Sequence, residues 1–171
     1  MTSSRITRRS ILGGAAVLLL PRVALAARTY QPLFRIERSK NANVVQYDAV
    51  LESPEKLDPR GPVIAYWIML AKDGRREGLS SLDERAYGFK VAPEKGGSWL
   101  LYLNATRDRS IRVVRWQGRW VAQVVIAGRS AVLTKIFVSS DESAFIPRVR
   151  WVDLFGVDMV NGKALTERLK P

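Results

Sequence analysis

The chain has 171 residues, 47% apolar and 26% charged, with 28 Lys and Arg against 16 Asp and Glu for a formal net charge of +12. That length and composition fit one globular domain and exclude a disordered chain. His and Cys are both absent, which excludes disulfides, thiolate nucleophiles, zinc fingers, haem-ligating imidazoles, Fe–S clusters and Ser-His-Asp triads. Only carboxylate, Tyr or Met would remain to hold a transition metal, so no cofactor is expected.

The first 26 residues read as an address. Arg5, Thr7, Arg8 and Arg9 precede an apolar run from Ile11 to Leu20, then Pro21 and Arg22, and a small-x-small end at Ala24-Leu25-Ala26. A basic start, a short apolar middle and a small-residue end make a cleavable export signal. As helix, the run rises only about 15 Å, half of a ~30 Å hydrocarbon core, which argues against a permanent span. The adjacent Arg8 and Arg9, the weakly apolar Gly13-Gly14-Ala15-Ala16 and the late Arg22 point to the twin-arginine route and its export machinery. Cleavage after Ala26 leaves a single domain over residues 27–171, periplasmic or secreted, with no transmembrane span expected. Four arginines leave with the leader, so 24 basic residues face 16 acids and the charge falls to +8.

Beyond the leader, apolar residues recur mainly at every second position, the pattern of half-buried strands. Asn43 to Leu51 sets Val45, Tyr47, Ala49 and Leu51 on one face and Gln46 and Asp48 on the other. Ser53 to Pro62, with three prolines, reads as a surface loop. Pro62 to Leu70 is apolar on both faces and reads as a central strand covered on each side. Ser80 and Ser81, followed by Asp83 and Glu84, cap a short helix near residues 81–87 that Gly88 ends. Trp99, Leu101 and Leu103 share a face. Ile111 to Trp116 alternates, as do Trp120, Ala122, Val124 and Ile126, then Val132, Thr134, Ile136 and Val138. Val149, Trp151 and Phe155 suggest a further strand. Gln117-Gly118, Ala127-Gly128, Asp73-Gly74 and Asn161-Gly162 supply short turns. The fold class is therefore mainly β: an antiparallel meander closing into a barrel or sandwich, with one short helix.

These segments resemble a bacterial family, domain of unknown function 4833. The resemblance rests on residues 33–51, 62–70, 86–91 and 147–169. Its most specific parts are Glu37-Arg38-Ser39-Lys40-Asn41-Ala42-Asn43, Tyr66-Trp67, Ala86-Tyr87-Gly88 and Leu154-Phe155-Gly156. It implies an exported or envelope-associated single domain and supplies no catalytic residues.

The densest polar motif, Glu37 to Asn43, reads first as a hairpin turn in which Asn tolerates left-handed backbone. If the domain holds a site, this loop belongs to it, because Arg38, Lys40, Asn41 and Asn43 can converge on an anion. Tyr66 and Tyr87 complete the candidate ligand-binding set of Glu37, Arg38, Lys40, Asn41, Asn43, Tyr66 and Tyr87. Ser53-Pro54-Glu55-Lys56 matches a penicillin-recognising S-x-x-K pattern but lies in a Pro-rich loop without the companion motifs, so chance explains it. The pairs Asp83-Glu84 and Asp141-Glu142 read as structural, since adjacent side chains diverge.

Aromatic residues in strands, Tyr47, Tyr66, Trp67, Trp99, Tyr102, Trp116, Trp120 and Trp151, lie near Arg112, Arg115, Arg119, Arg148 and Arg150 in sequence. Such a face suits an anionic envelope polymer or lipid head group; nucleic acid is not expected outside the cytoplasm. The leading expectation is a non-catalytic exported domain that binds a ligand or envelope component. The alternatives are an envelope scaffold, or an enzyme working through carboxylate, Tyr or Lys.

Overall fold

The computed structural model describes residues 28–39, 41–141 and 148–170. The expected leader, with Arg8 and Arg9, lies outside the described residues, and so does Lys40. Twelve strands and one α-helix are described. In chain order they are β1 (Thr29–Arg38), β2 (Asn41–Ser53), β3 (Lys56–Leu57), β4 (Val63–Ile68), β5 (Arg76–Gly78), α1 (Ser81–Tyr87), β6 (Phe89–Pro93), β7 (Trp99–Leu103), β8 (Thr106–Trp116), β9 (Arg119–Ile126), β10 (Arg129–Asp141), β11 (Arg148–Asp158) and β12 (Ala164–Leu169). Mainly β with one short helix is the class that the two-residue alternation predicts. Among the described residues no helix is long and apolar enough to cross a membrane.

Among the described strands, neighbours pair antiparallel with one exception: β1 runs parallel to β10, with Arg35–Arg38 beside Lys135–Val138 in register. β10 organises the rest. Its Arg129–Val132 stretch pairs with β9, its Lys135–Val138 stretch pairs with β1, and β11 lies alongside from Ala131 to Asp141. Because residues in both stretches also bond β11, β9 and β1 must share the opposite edge. The sheet therefore forks there into an arm β1-β2-β4-β5 and an arm β9-β8-β7-β6. Both arms curl so that their inner faces meet, giving a half-barrel. Phe34 of β1 stacks on Tyr47 of β2 at 4.5 Å, and Tyr47 meets Phe89 of β6 at 5.9 Å.

The buried faces are mostly those that alternation marks. Val45, Tyr47 and Ala49 are buried, as are Trp120, Ala122, Val124 and Ile126. The Val and Ile side chains among them each contribute about 1.5–3 kcal/mol when fully removed from water. Tyr47 keeps its hydroxyl satisfied by donating to the Tyr87 carbonyl at 2.5 Å. At Gln117-Gly118 and Ala127-Gly128 both residues have positive φ, the mirror-image turn geometry that matches strand twist.

Four expectations are corrected. Pro62–Leu70 is not a central strand: β4 stops at Ile68 and lies one strand from the edge, bordered by the three-residue β5, so four of its six side chains stay partly exposed. In β10 the face Val132-Thr134-Ile136-Val138 is broken. The buried apolar residues of β10 are Ala131, Leu133 and Ile136, because a register shift between Leu133 and Lys135 flips the phase. Thr134, at that shift, donates to the Phe155 carbonyl at 3.0 Å. The Ser53–Pro62 loop contains β3, which returns along β2 and buries Leu57. Asp48, expected on the wet face, is 1% exposed.

Helix α1 follows its caps. Ser80 Oγ accepts from Asp83 N, and Asp83 Oδ2 accepts from Ser80 N at 3.0 Å. Its end is fixed by a close approach: Gly88 N and Asn104 Nδ2 both donate to the Glu84 carbonyl, at 2.9 and 2.7 Å. A Cβ on Gly88 would lie 2.2 Å from that oxygen, so only glycine fits. This contact docks α1, and with it Tyr87, against the β7–β8 turn.

Candidate ligand-binding cavity

The curled sheet shapes a partly open cavity of about 610 Å³, within the range of ordinary small-molecule sites. Two cross-strand rows pave it. Ile36, Ile136 and Leu154 form one across β1, β10 and β11, and Val138, Val152 and Leu169 form the next across β10, β11 and β12. Ile111, Val124 and Leu133 add apolar wall, and Ala86 and Tyr87 of α1 contribute from the helix. Among the described lining residues the charged ones are Arg109 and Lys170, both cationic.

Arg109 is already committed. Its two terminal nitrogens bond both oxygens of Glu167 at 3.3 and 3.1 Å, and Glu167 also accepts from Ala127 N at 2.8 Å. The Arg109 bond, then the Ala127 amide, holds the Glu167 carboxyl below its usual range. This clasp draws β12 toward β8 and the β9–β10 turn.

Beside the cavity lies a second cluster. The Arg38 guanidinium sits 5.6 Å from the Tyr87 ring centre and 5.9 Å from that of Trp67, and the two rings meet edge to face at 5.3 Å. Both distances are within cation–π reach. Arg38 Nε is buried without a hydrogen-bond partner, and among the described residues no carboxylate lies within ion-pairing distance of Arg38. Asp83 is near enough to feel it, but its carboxyl is held low chiefly by the Ser80 hydroxyl, with the Ser80 amide, Trp67 and Arg38 adding to the effect. Burial raises the Tyr87 phenol, and Arg38 opposes that rise.

The candidate residues therefore divide. Arg38 and Tyr87 come together. Glu37 alternates to the other face of β1 and pairs with Arg35 at 2.6 Å and Lys135 at 3.3 Å. Asn41 and Asn43 shape backbone: Asn41 Oδ1 accepts from Asn43 N at 2.9 Å, and Asn43 Oδ1 accepts from Ala71 N at 3.0 Å. Register pairs Arg38 with Asn41, so the motif is the hairpin connection that its composition suggests. Tyr66 lies on the opposite face of β4 from Trp67. Its hydroxyl donates to Asp48 Oδ2 at 2.6 Å, and burial together with that carboxylate pushes the phenol up to about 12. Arg76 rests 4.7 Å over the Tyr66 ring.

Asp48 is a polar residue that sequence reasoning missed. Gln46 Nε2 occupies its other oxygen at 3.0 Å, so it is satisfied within the sheet and its role there is structural. The arginines placed near strand aromatics are largely paired: Arg112 with Glu94 at 2.9 and 2.8 Å, Arg115 with Glu55 at 3.0 Å and Arg150 with Asp141 at 2.6 Å. Trp120 is core. Ser53 and Lys56 are register partners across the β2–β3 hairpin, and the Lys56 ammonium pairs with Glu52 at 2.6 Å.

A half-barrel with an apolar hold and a few cations around it defines a class, a β-domain with an internal cavity. The profile of domain of unknown function 4833 matches residues 34–168, and the chain belongs to that family. No curated protein and no solved structure matches the chain.

Proposed function

We propose that this is an exported, non-catalytic β-domain that takes up a small, largely apolar component of the bacterial envelope. The observation that carries the reading is the cavity of about 610 Å³ paved by rows of Ile, Leu and Val. Filling it removes ligand surface from water at roughly 25 cal/mol per Å², most of the driving force such a site can offer. The chain has no His or Cys, and no carboxylate lines the cavity among the described residues. Proton-transfer chemistry near neutral pH thus has no ordinary agent there. Export rests on the leader sequence: Arg8-Arg9, the short apolar run and Ala24-Leu25-Ala26 support a periplasmic or secreted destination reached by the twin-arginine route.

Titration of the chain with 1-aminoanthracene, an uncharged apolar fluorophore, tests the reading. The account expects saturable one-to-one uptake with a blue-shifted emission, weakened about tenfold or more by Ile136→Trp or the milder Val138→Phe, either of which fills the space. Equal uptake by the folded filled variants, or none by the wild type, refutes it.

A further inference from the structure

We infer that the molecule in the cavity is a single-chain amphiphile whose anionic head, a carboxylate or a phosphate, is held by Arg38. The inference rests on the cavity reading above and adds the chemistry of one end of the ligand.

Arg38, Val138, Val152 and Leu169 stand side by side across β1, β10, β11 and β12. The last three line the cavity, as does Ile36, two residues earlier on the Arg38 face of β1. Arg38 is therefore the charged end of a row whose other members pave an apolar compartment. Its guanidinium lies against Tyr87, which lines the same compartment.

The state of that guanidinium then matters. Ring contacts with Tyr87 and Trp67 draw on its charge and leave its N–H groups unspent. Nε is buried and has no acceptor. Arg109, by contrast, already has both oxygens of Glu167. Of Arg38 and Arg109, it is Arg38 that still has its planar fork to offer, and that fork matches two oxygens of a carboxylate or phosphate. No acid lines the cavity among the described residues, Asp83 near Arg38 is engaged by the Ser80 amide and hydroxyl, and Lys170 adds positive potential. A cavity of about 610 Å³ suits one acyl chain and its attachment. An uncharged ligand would use the apolar wall and leave Arg38 Nε without an acceptor.

Calorimetric titration of the full chain with dodecanoate and dodecyl phosphate below their micellar concentrations, and with dodecanol below its solubility limit, separates head from tail. Both anions are expected to bind about tenfold or more tightly than dodecanol, the worth of a charge-assisted hydrogen bond to a fork. Arg38→Met, which keeps an apolar stem between the rings, is expected to erase that preference and leave dodecanol unchanged. Arg38→Lys, which keeps charge without the fork, is expected to retain part of it. The preference of the wild type for an anion over dodecanol is a test that needs no variant to fold. Dodecanol binding as tightly as the anions overturns the head assignment and leaves the cavity reading standing. So does an anion preference that survives in folded Arg38→Met or vanishes instead in Lys170→Met. Failure of all three ligands to bind overturns the cavity reading, and the head assignment with it.

Discussion

Gly88→Ala is a one-carbon perturbation whose cost can be worked from the contacts around it. The new Cβ would lie 2.2 Å from the Glu84 carbonyl oxygen and 2.6 Å from Asn104 Nδ2. Neither atom is free to retreat, because the oxygen belongs to the last turn of α1 and the amide bonds it at 2.7 Å. Relief requires displacing the end of the helix, which strains or breaks the Gly88 and Asn104 bonds to Glu84, each worth about 0.5–1.5 kcal/mol. Overpacking of this kind costs about 1–3 kcal/mol. Alanine's lower entropy in the unfolded chain returns about 0.4–1 kcal/mol. The strained bonds are part of that overpacking, so the net expectation is a loss of roughly 1–2 kcal/mol, or about 2–8 °C in melting temperature for a domain of this size. Urea unfolding followed by Trp fluorescence measures it directly. A Gly88→Ala chain as stable as wild type would show that α1 is not docked through this contact, and the placement of Tyr87 beside Arg38 would lose its support.

Two further outcomes follow from single interactions. Tyr66→Phe removes the donor to buried Asp48 Oδ2 and should cost about 1–3 kcal/mol by urea unfolding, the penalty of a stranded acceptor. If the pair is structural, Asp48→Leu should cost much less in the Tyr66→Phe background than alone; additive losses would contradict the coupling. For the leader, replacing Arg8 and Arg9 together by Lys should leave the chain in the cytoplasm on cell fractionation, and undiminished export would exclude the twin-arginine route.

The parts of the fold legible in the sequence are those where burial follows from alternation alone. Val45, Tyr47 and Ala49 on β2 and the Trp120 to Ile126 face of β9 follow from alternation, although Val44, Asp48 and Val50 of β2 and Val121 of β9 are buried on the opposite faces as well. The helix was legible because its caps are local, Ser80 and Asp83 three residues apart. What failed depended on partners distant in sequence. Thr134 looks like an ordinary strand residue, and the shift beside it exists only because β11 pairs with β10 in a particular register. Asp48 reads as solvent-facing until β4 brings Tyr66 to it. The parallel β1–β10 pair joins residues 100 positions apart, such as Arg35 and Lys135, and no turn or periodicity announces it.

The candidate site was half legible for a related reason. Arg38 and Tyr87 stand out as chemically capable residues, but their meeting depends on β1 ending where α1 docks. Glu37 and the two asparagines share the motif with Arg38 and are parted from it by strand alternation and turn geometry. The cavity itself has no sequence signature, since residues that pave a hold and residues that fill a core are the same Ile, Leu and Val.

Native mass spectrometry of the chain, isolated without detergent from the cells that produce it, tests most directly whether the half-barrel carries cargo. The account predicts a population heavier than the bare polypeptide by one small, organic-extractable molecule, and loss of that population in Ile136→Trp. A bare mass for the wild type, or the same adduct on the folded filled variant, would contradict it.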